Sequence, residues 1–145
     1  TPLYSSAASD VYKRQINVPV AKNHMMTQLT MAMKNHMGVT SDNRASAWHT
    51  QLDQALADFA SAFKPKLTVL DAYRIVVRNG LKAGSLADVQ MLKKCIVGTN
   101  QVSVDAYGAT LFGKRPTDIP HIAIAGKMGL GEIDPAKITI RQVNA

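Results

Sequence analysis

Short apolar runs rich in β-branched residues alternate with longer segments of helical period, and this alternation constrains the chain more than any other feature. Leu67-Thr68-Val69-Leu70, followed by Asp71, has the form of a buried parallel strand with a carboxylate at its C-terminal end. Residues 73–77 continue apolar and either extend that strand or turn away from it. Cys95-Ile96-Val97 is a second run of this kind. Ile16-Asn17-Val18-Pro19-Val20 is a third, with Pro19 at its end or at a sheet edge, because proline donates nothing to a ladder. Residues 137–143 read as a terminal strand.

The intervening segments change period. After a polar turn over 21–24, Met25, Met26, Leu29, Met33 and Met37 share one face at about 100° per residue, which predicts a helix over 25–37 closed by Gly38. Residues 40–43 offer N-caps for a helix over 45–63, whose stripe of Trp48, Leu52, Leu56, Phe59 and Phe63 would face a core and which Lys64-Pro65 ends. Asn79-Gly80 and Ala83-Gly84-Ser85 mark loops, and 86–94 reads as a short helix. A helix over 102–112 carries the small residues Ala106, Gly108 and Ala109, which permit close packing on a sheet, and another spans 119–128. Strands alternating with helices predict an α/β fold with a mainly parallel sheet and flanking helices.

Residues 1–15 do not share this organisation. They resemble translated sequencing adapter, as found at the broken ends of metagenomic gene fragments; an ordinary flexible tail is the alternative. On the first reading 1–15 is a non-native or disordered leader. Residues 16–145 are then the C-terminal portion of a single α/β domain that is incomplete, and any targeting signal preceded it.

Composition removes several classes of function. The chain has 145 residues, 17 Lys+Arg against 10 Asp+Glu and 46% hydrophobic residues, which suits a soluble globular protein. No uncharged apolar run reaches about 18 residues, so no transmembrane segment is expected. A single Cys cannot supply a disulfide framework, a four-thiolate metal site or an iron–sulfur cluster by itself. The net charge of +7 is scattered and not interleaved with aromatic residues, which leaves a basic nucleic-acid-binding module as the weakest of the readings.

Four polar clusters could carry chemistry. Lys22 and His24 follow a strand, where α/β proteins place ligands; an ordinary solvated loop is the alternative. Thr30, Lys34 and Asn35 lie on the polar side of the predicted 25–37 helix, and Lys with Thr suits a phosphate or carboxylate; a helix face in water is the blander account. His49 and Asp53 are four residues apart, so the carboxylate could orient the imidazole for proton transfer or metal ligation, although such a histidine is more often a boundary residue. Gly98 and Thr99 precede a helix whose free N–H groups would favour an anion. Asp105, placed near the first turn of that helix, is accounted for by the macrodipole alone. No dinucleotide fingerprint, phosphate loop or nucleophile elbow is present, and the four His have no metal-site spacing.

Taken together, "INVPVAKNH", "LTMAMKNHMGV", Arg44 and His49, "LADF" and "KLTVLDA", then "IVGTNQVSVDAYGATLFG" and "IAGKMGLGE", resemble the domain-of-unknown-function family 362. The resemblance runs in order along nearly all of 16–145 and matches the C-terminal portion of the family domain. It implies an association with iron–sulfur proteins, some of which carry ferredoxin-type Cys clusters or twin-arginine export signals. The motif positions it marks are Lys22, His24, Lys34, Asn35, Gly38, His49, Asp71, Gly98, Thr99, Asp105 and Gly113. Four departures stand out: Asn100-Gln101 for Asp-Pro, Ser103 for Ala, His36 for an apolar residue, and Asn79-Gly80-Leu81 for a Gly-Pro pattern.

The expectation is therefore a redox-associated α/β domain with one polar pocket. Lys22 and Lys34 would hold an anionic ligand, with Thr30, Asn35, Gly98 and Thr99 as further binding residues. His24 and His49 would transfer protons or ligate a metal ion, and Asp71 and Asp105 would orient or neutralise these groups. If the chain is an enzyme, an oxidoreductase or redox-linked component is the expectation; a non-catalytic ligand- or partner-binding domain is the alternative. No cofactor is expected within this chain. An iron–sulfur cluster and a ferredoxin-type domain belong, by resemblance, to a missing part of the natural protein, which would be cytoplasmic or exported by a twin-arginine signal.

Overall fold

A computed structural model describes residues 15–39, 51–80 and 85–144. Its strands are β1 (Ile16–Asn17), β2 (Val20–His24), β3 (Gln28–Thr30), β4 (Leu67–Val76) and β5 (Val89–Gly98). Its helices are α1 (Ala32–Asn35), α2 (Leu52–Ala62), α3 (Gln101–Thr110) and α4 (Pro120–Lys127). β1 and β2 run one after the other along the same edge of β4, both parallel to it, in the registers Ile16↔Leu67 and Val20↔Asp71. Pro19 separates them, and its carbonyl accepts the Asp71 N–H at 2.8 Å, so the ladder continues past a residue that has no donor. β3 folds back antiparallel on β2, and β5 lies antiparallel on the other edge of β4. Three of the five strands thus share a direction, and the fold is α/β with a mostly parallel, mixed sheet.

The helices cover one face. Leu70, Ala72 and Ile75 of β4 are buried there with Ala57 and Ala60 of α2, Val102, Ala106 and Ala109 of α3, and Ile122 and Ala125 of α4. α3 approaches closely because of its small residues. A Cβ on Gly108 would stand 2.7 Å from Met31 Sδ and 2.9 Å from Leu70 Cδ2. The ladder rows place Val20, Asp71, Cys95 and Val97 on the opposite face, where all four are exposed. No helix among the described residues is long and apolar enough to cross a membrane.

Several local expectations are corrected. The predicted polar turn over 21–24 is strand β2. The predicted helix over 25–37 is a turn, then β3, and only then a one-turn helix, α1, continued by a 3-10 turn at His36–Val39. Apolar residues are dense enough here to fit either period. Thr27, Leu29 and Met31 alternate into the core, with Gln28 and Thr30 less buried between them, while Met25 and Met26, needed on the helical face, are 74% and 48% exposed. The predicted helix over 86–94 is a 3-10 turn (Leu86–Asp88) leading into β5. A register shift opposite Ala72/Arg74, with Lys93 at φ 53°, interrupts the two-residue alternation that would have revealed the strand. β4 continues to Val76, so Asp71 is mid-strand and does not mark a strand end. Residues 137–143 form no strand. The second predicted helix is seen from Leu52; its earlier part, the caps over 40–43 and the candidate His49 lie outside the described residues.

Candidate functional site

The geometry is built around α1, a helix too short to stand alone. Its first residues have no local cap: Met31 precedes it without a side-chain hydrogen bond. Asp105 of α3 supplies the missing acceptors. Its Oδ1 accepts the Ala32 N–H at 2.7 Å and its Oδ2 the Met33 N–H at 2.9 Å. Asp105 is the fifth residue of α3, so it does not serve its own helix's first turn, as the sequence reading supposed. The carboxylate is completely buried, and burial lifts its pKa from 3.8 to about 6 against the opposing pull of the two N–H groups and His121.

Docked in this way, α1 carries Lys34 to a half-buried position. Burial holds the Lys34 pKa below its ordinary value; Asp53 works in the other direction, and Lys22 adds to the lowering. Lys22, on β2, stands opposite Thr30 on β3. Neither lysine has a carboxylate within ion-pair distance among the described residues. The Thr30 hydroxyl is buried with no hydrogen-bond partner among them. Asp53, near the start of α2, reaches His121 on α4, with Oδ1 3.1 Å from Nδ1. This bond favours a proton on Nδ1 and leaves Nε2 as a lone-pair acceptor. His121 is fully buried, and its Nε2 has no partner among the described residues. Lys22, Lys34, Asp53, His121 and Asp105 therefore form one electrostatically connected series.

The other expected site residues lie apart from this series or serve structure. His24 Nδ1 accepts the N–H groups of Met26 and Thr27, both at 3.2 Å, which holds the β2–β3 turn. Asn35 donates to Asn17 Oδ1 at 2.8 Å. Asp71, exposed on the face away from the helices, accepts the Tyr73 N–H at 2.8 Å. Gly98 and Thr99 precede α3, but Asn100 Oδ1 occupies that helix's N–H groups, accepting from Val102 at 2.9 Å and Ser103 at 3.0 Å. A caller of anions there would compete with a side chain already bound.

Two buried histidines escaped the sequence reading as site residues. His121 sits in an apolar stretch just after Pro120, and an imidazole in such surroundings is itself a signal. His36 packs against Phe63, with ring centroids 5.5 Å apart, and its Nε2 lies 3.2 Å from Asn17 Nδ2. Burial lowers its pKa, partly opposed by a side-chain hydrogen bond with Gln101. Among the described residues no three His, Cys, Asp or Glu side chains are placed to hold a metal ion. Cys95, an exposed residue of β5, is the single thiol of the chain. The donor set of the described residues thus does not fit an iron–sulfur cluster.

The fold is that of an α/β domain with a series of Lys, His and Asp side chains, partly to fully buried, beside its one-turn helix. A family model described as a domain of unknown function (DUF362) matches residues 6–110, and the chain belongs to that family. No curated protein and no solved structure matches it.

Proposed function

We propose that this chain is the ligand-binding part of a redox-associated protein and that Lys22 and Lys34 hold an anionic group, a phosphate or a carboxylate. The observation that carries this reading is the pair itself. Lys34 is half-buried, burial and the nearby Lys22 both lower its pKa, and neither lysine has a carboxylate in ion-pair contact among the described residues. An anion relieves that repulsion, and the unpaired Thr30 hydroxyl is a donor for it. In an enzyme, His121, oriented by Asp53, is the group suited to accept a proton; the redox association rests on family resemblance.

Titration calorimetry of the full chain with inorganic phosphate tests the pocket. Saturable binding that falls about tenfold or more in Lys22→Met and in Lys34→Met supports it; unchanged binding in both variants removes it. His24→Ala and His49→Ala test the remaining proton-transfer and metal roles. Unaltered ligand and metal binding in both leaves them structural.

The alternative of a non-catalytic binding domain draws support from the complete burial of His121. A substrate reaches Nε2 only if the surrounding elements move apart. A metabolite screen separates the two readings by whether a bound molecule is converted.

A further inference from the structure

A groove of about 710 Å³ runs along β5 on the side away from the Lys22/Lys34 cluster's hairpin. It is lined by residues 92–100, by the C-terminal tail over 138–144, and by Ser103, Val104 and Tyr107. Three features of it belong together. First, β5 pairs only with β4 among the described residues, so its outer edge presents unpaired backbone N–H and C=O groups. Second, the tail has the alternation of a strand at Ile138 and Ile140, yet it makes no ladder with β5 although both line the groove. Third, the lining contains Lys93, Lys94 and Arg141 and no Asp or Glu. Leu92, Ile96 and Ile138, packed against the core, give it an apolar floor.

A strand residue occupies about 3.3 Å of length, 4.8 Å of sheet width and 10 Å of thickness, roughly 160 Å³. The groove therefore holds about four or five residues of extended chain. A second copy of β5 is a poor occupant. Two-fold antiparallel pairing would set Lys93 and Lys94 near their counterparts at the strand centre, and Lys93 is further turned out of regular geometry by its φ of 53°.

We propose that this groove captures an extended acidic segment of a partner protein, which adds to the sheet as a strand against β5 with its carboxylates on Lys93, Lys94 and Arg141. Backbone pairing supplies affinity, and the basic rim supplies selectivity. The test is fluorescence anisotropy of the full chain with a labelled hexapeptide of alternating Glu and Val. The same peptide with Lys for Glu, and one N-methylated at alternate amides, serve as controls. The acidic peptide binds saturably, both controls bind about tenfold or more weakly, and Lys94→Glu with Arg141→Glu reverses the charge preference. Unchanged far-ultraviolet circular dichroism of that exposed double variant confirms that it folds. Equal binding of acidic and basic peptides, full binding of the N-methylated peptide, or a β5-mediated dimer that peptide does not disrupt each overturns the proposal.

Discussion

Two helix N-termini in this protein are capped in opposite ways. α3 is capped from its own sequence, with Asn100 accepting the Val102 and Ser103 N–H groups. α1 is capped by Asp105, 73 residues from the amide it binds. The first arrangement closes a local turn and occupies two of the helix's N–H groups with its own side chain. The second ties a one-turn helix to the far side of the core and, in doing so, fixes Lys34 near Lys22 and Asp53. A cap is local stability in one case; in the other it also positions a lysine of the proposed anion site.

The largest expected effect that can break this contrast is that of Asp105→Ala. Each buried amide left without an acceptor costs about 1–3 kcal/mol. Relief from burying a carboxylate offsets part of this, so urea unfolding should show a loss of about 2–4 kcal/mol. A loss no greater than that of Asn100→Ala would mean the distant cap is no more than a local one.

Next comes the pH dependence. The folded pKa of Asp105 is raised, so the carboxyl is protonated more readily in the folded chain than in the unfolded one. Its contribution is fully present below about pH 4 and is lost as pH rises towards 6. The stability of the wild type relative to Asp105→Asn should fall across that window by no more than about 3 kcal/mol. Parallel pH profiles for the two proteins would contradict the burial assigned to this group. Asn100→Ala should cost about 1 kcal/mol with no such pH dependence, measured in the same way. Lys34→Met should have the smallest effect, a gain of about 0.5 kcal/mol from removing a half-buried cation beside another, together with weakened phosphate binding. A clear loss of stability there would indicate that Lys34 is a structural contact.

The contrast also explains what was legible in the sequence. The strand–turn–helix order around Gly98 can be read because the cap that starts α3, Asn100 on the Val102 and Ser103 N–H groups, is local. Likewise Lys64-Pro65 ends α2, and Ala106, Gly108 and Ala109 announce a helix pressed on a sheet. Asp105 looks like an ordinary helix residue, since its partners Ala32 and Met33 are brought to it only by the β2–β3 hairpin. That hairpin was itself hidden, because Thr27, Leu29 and Met31 follow a two-residue period inside a methionine-rich stretch that also fits a helical one. Lys22 and Lys34 are visible as candidates from residue type, whereas the Asp53–His121 bond joins residues 68 apart and has no spacing signal.

The central claim is that the distant cap, and not the local one, builds the place where an anion binds. Titrating the full chain with inorganic phosphate and following each backbone amide by NMR tests it most directly. The account predicts saturable shifts at Lys22, Thr30 and Lys34, with Gly98, Thr99 and Asn100 unmoved. Saturable shifts centred on Gly98, Thr99 and Asn100, or none at the lysines, would contradict it.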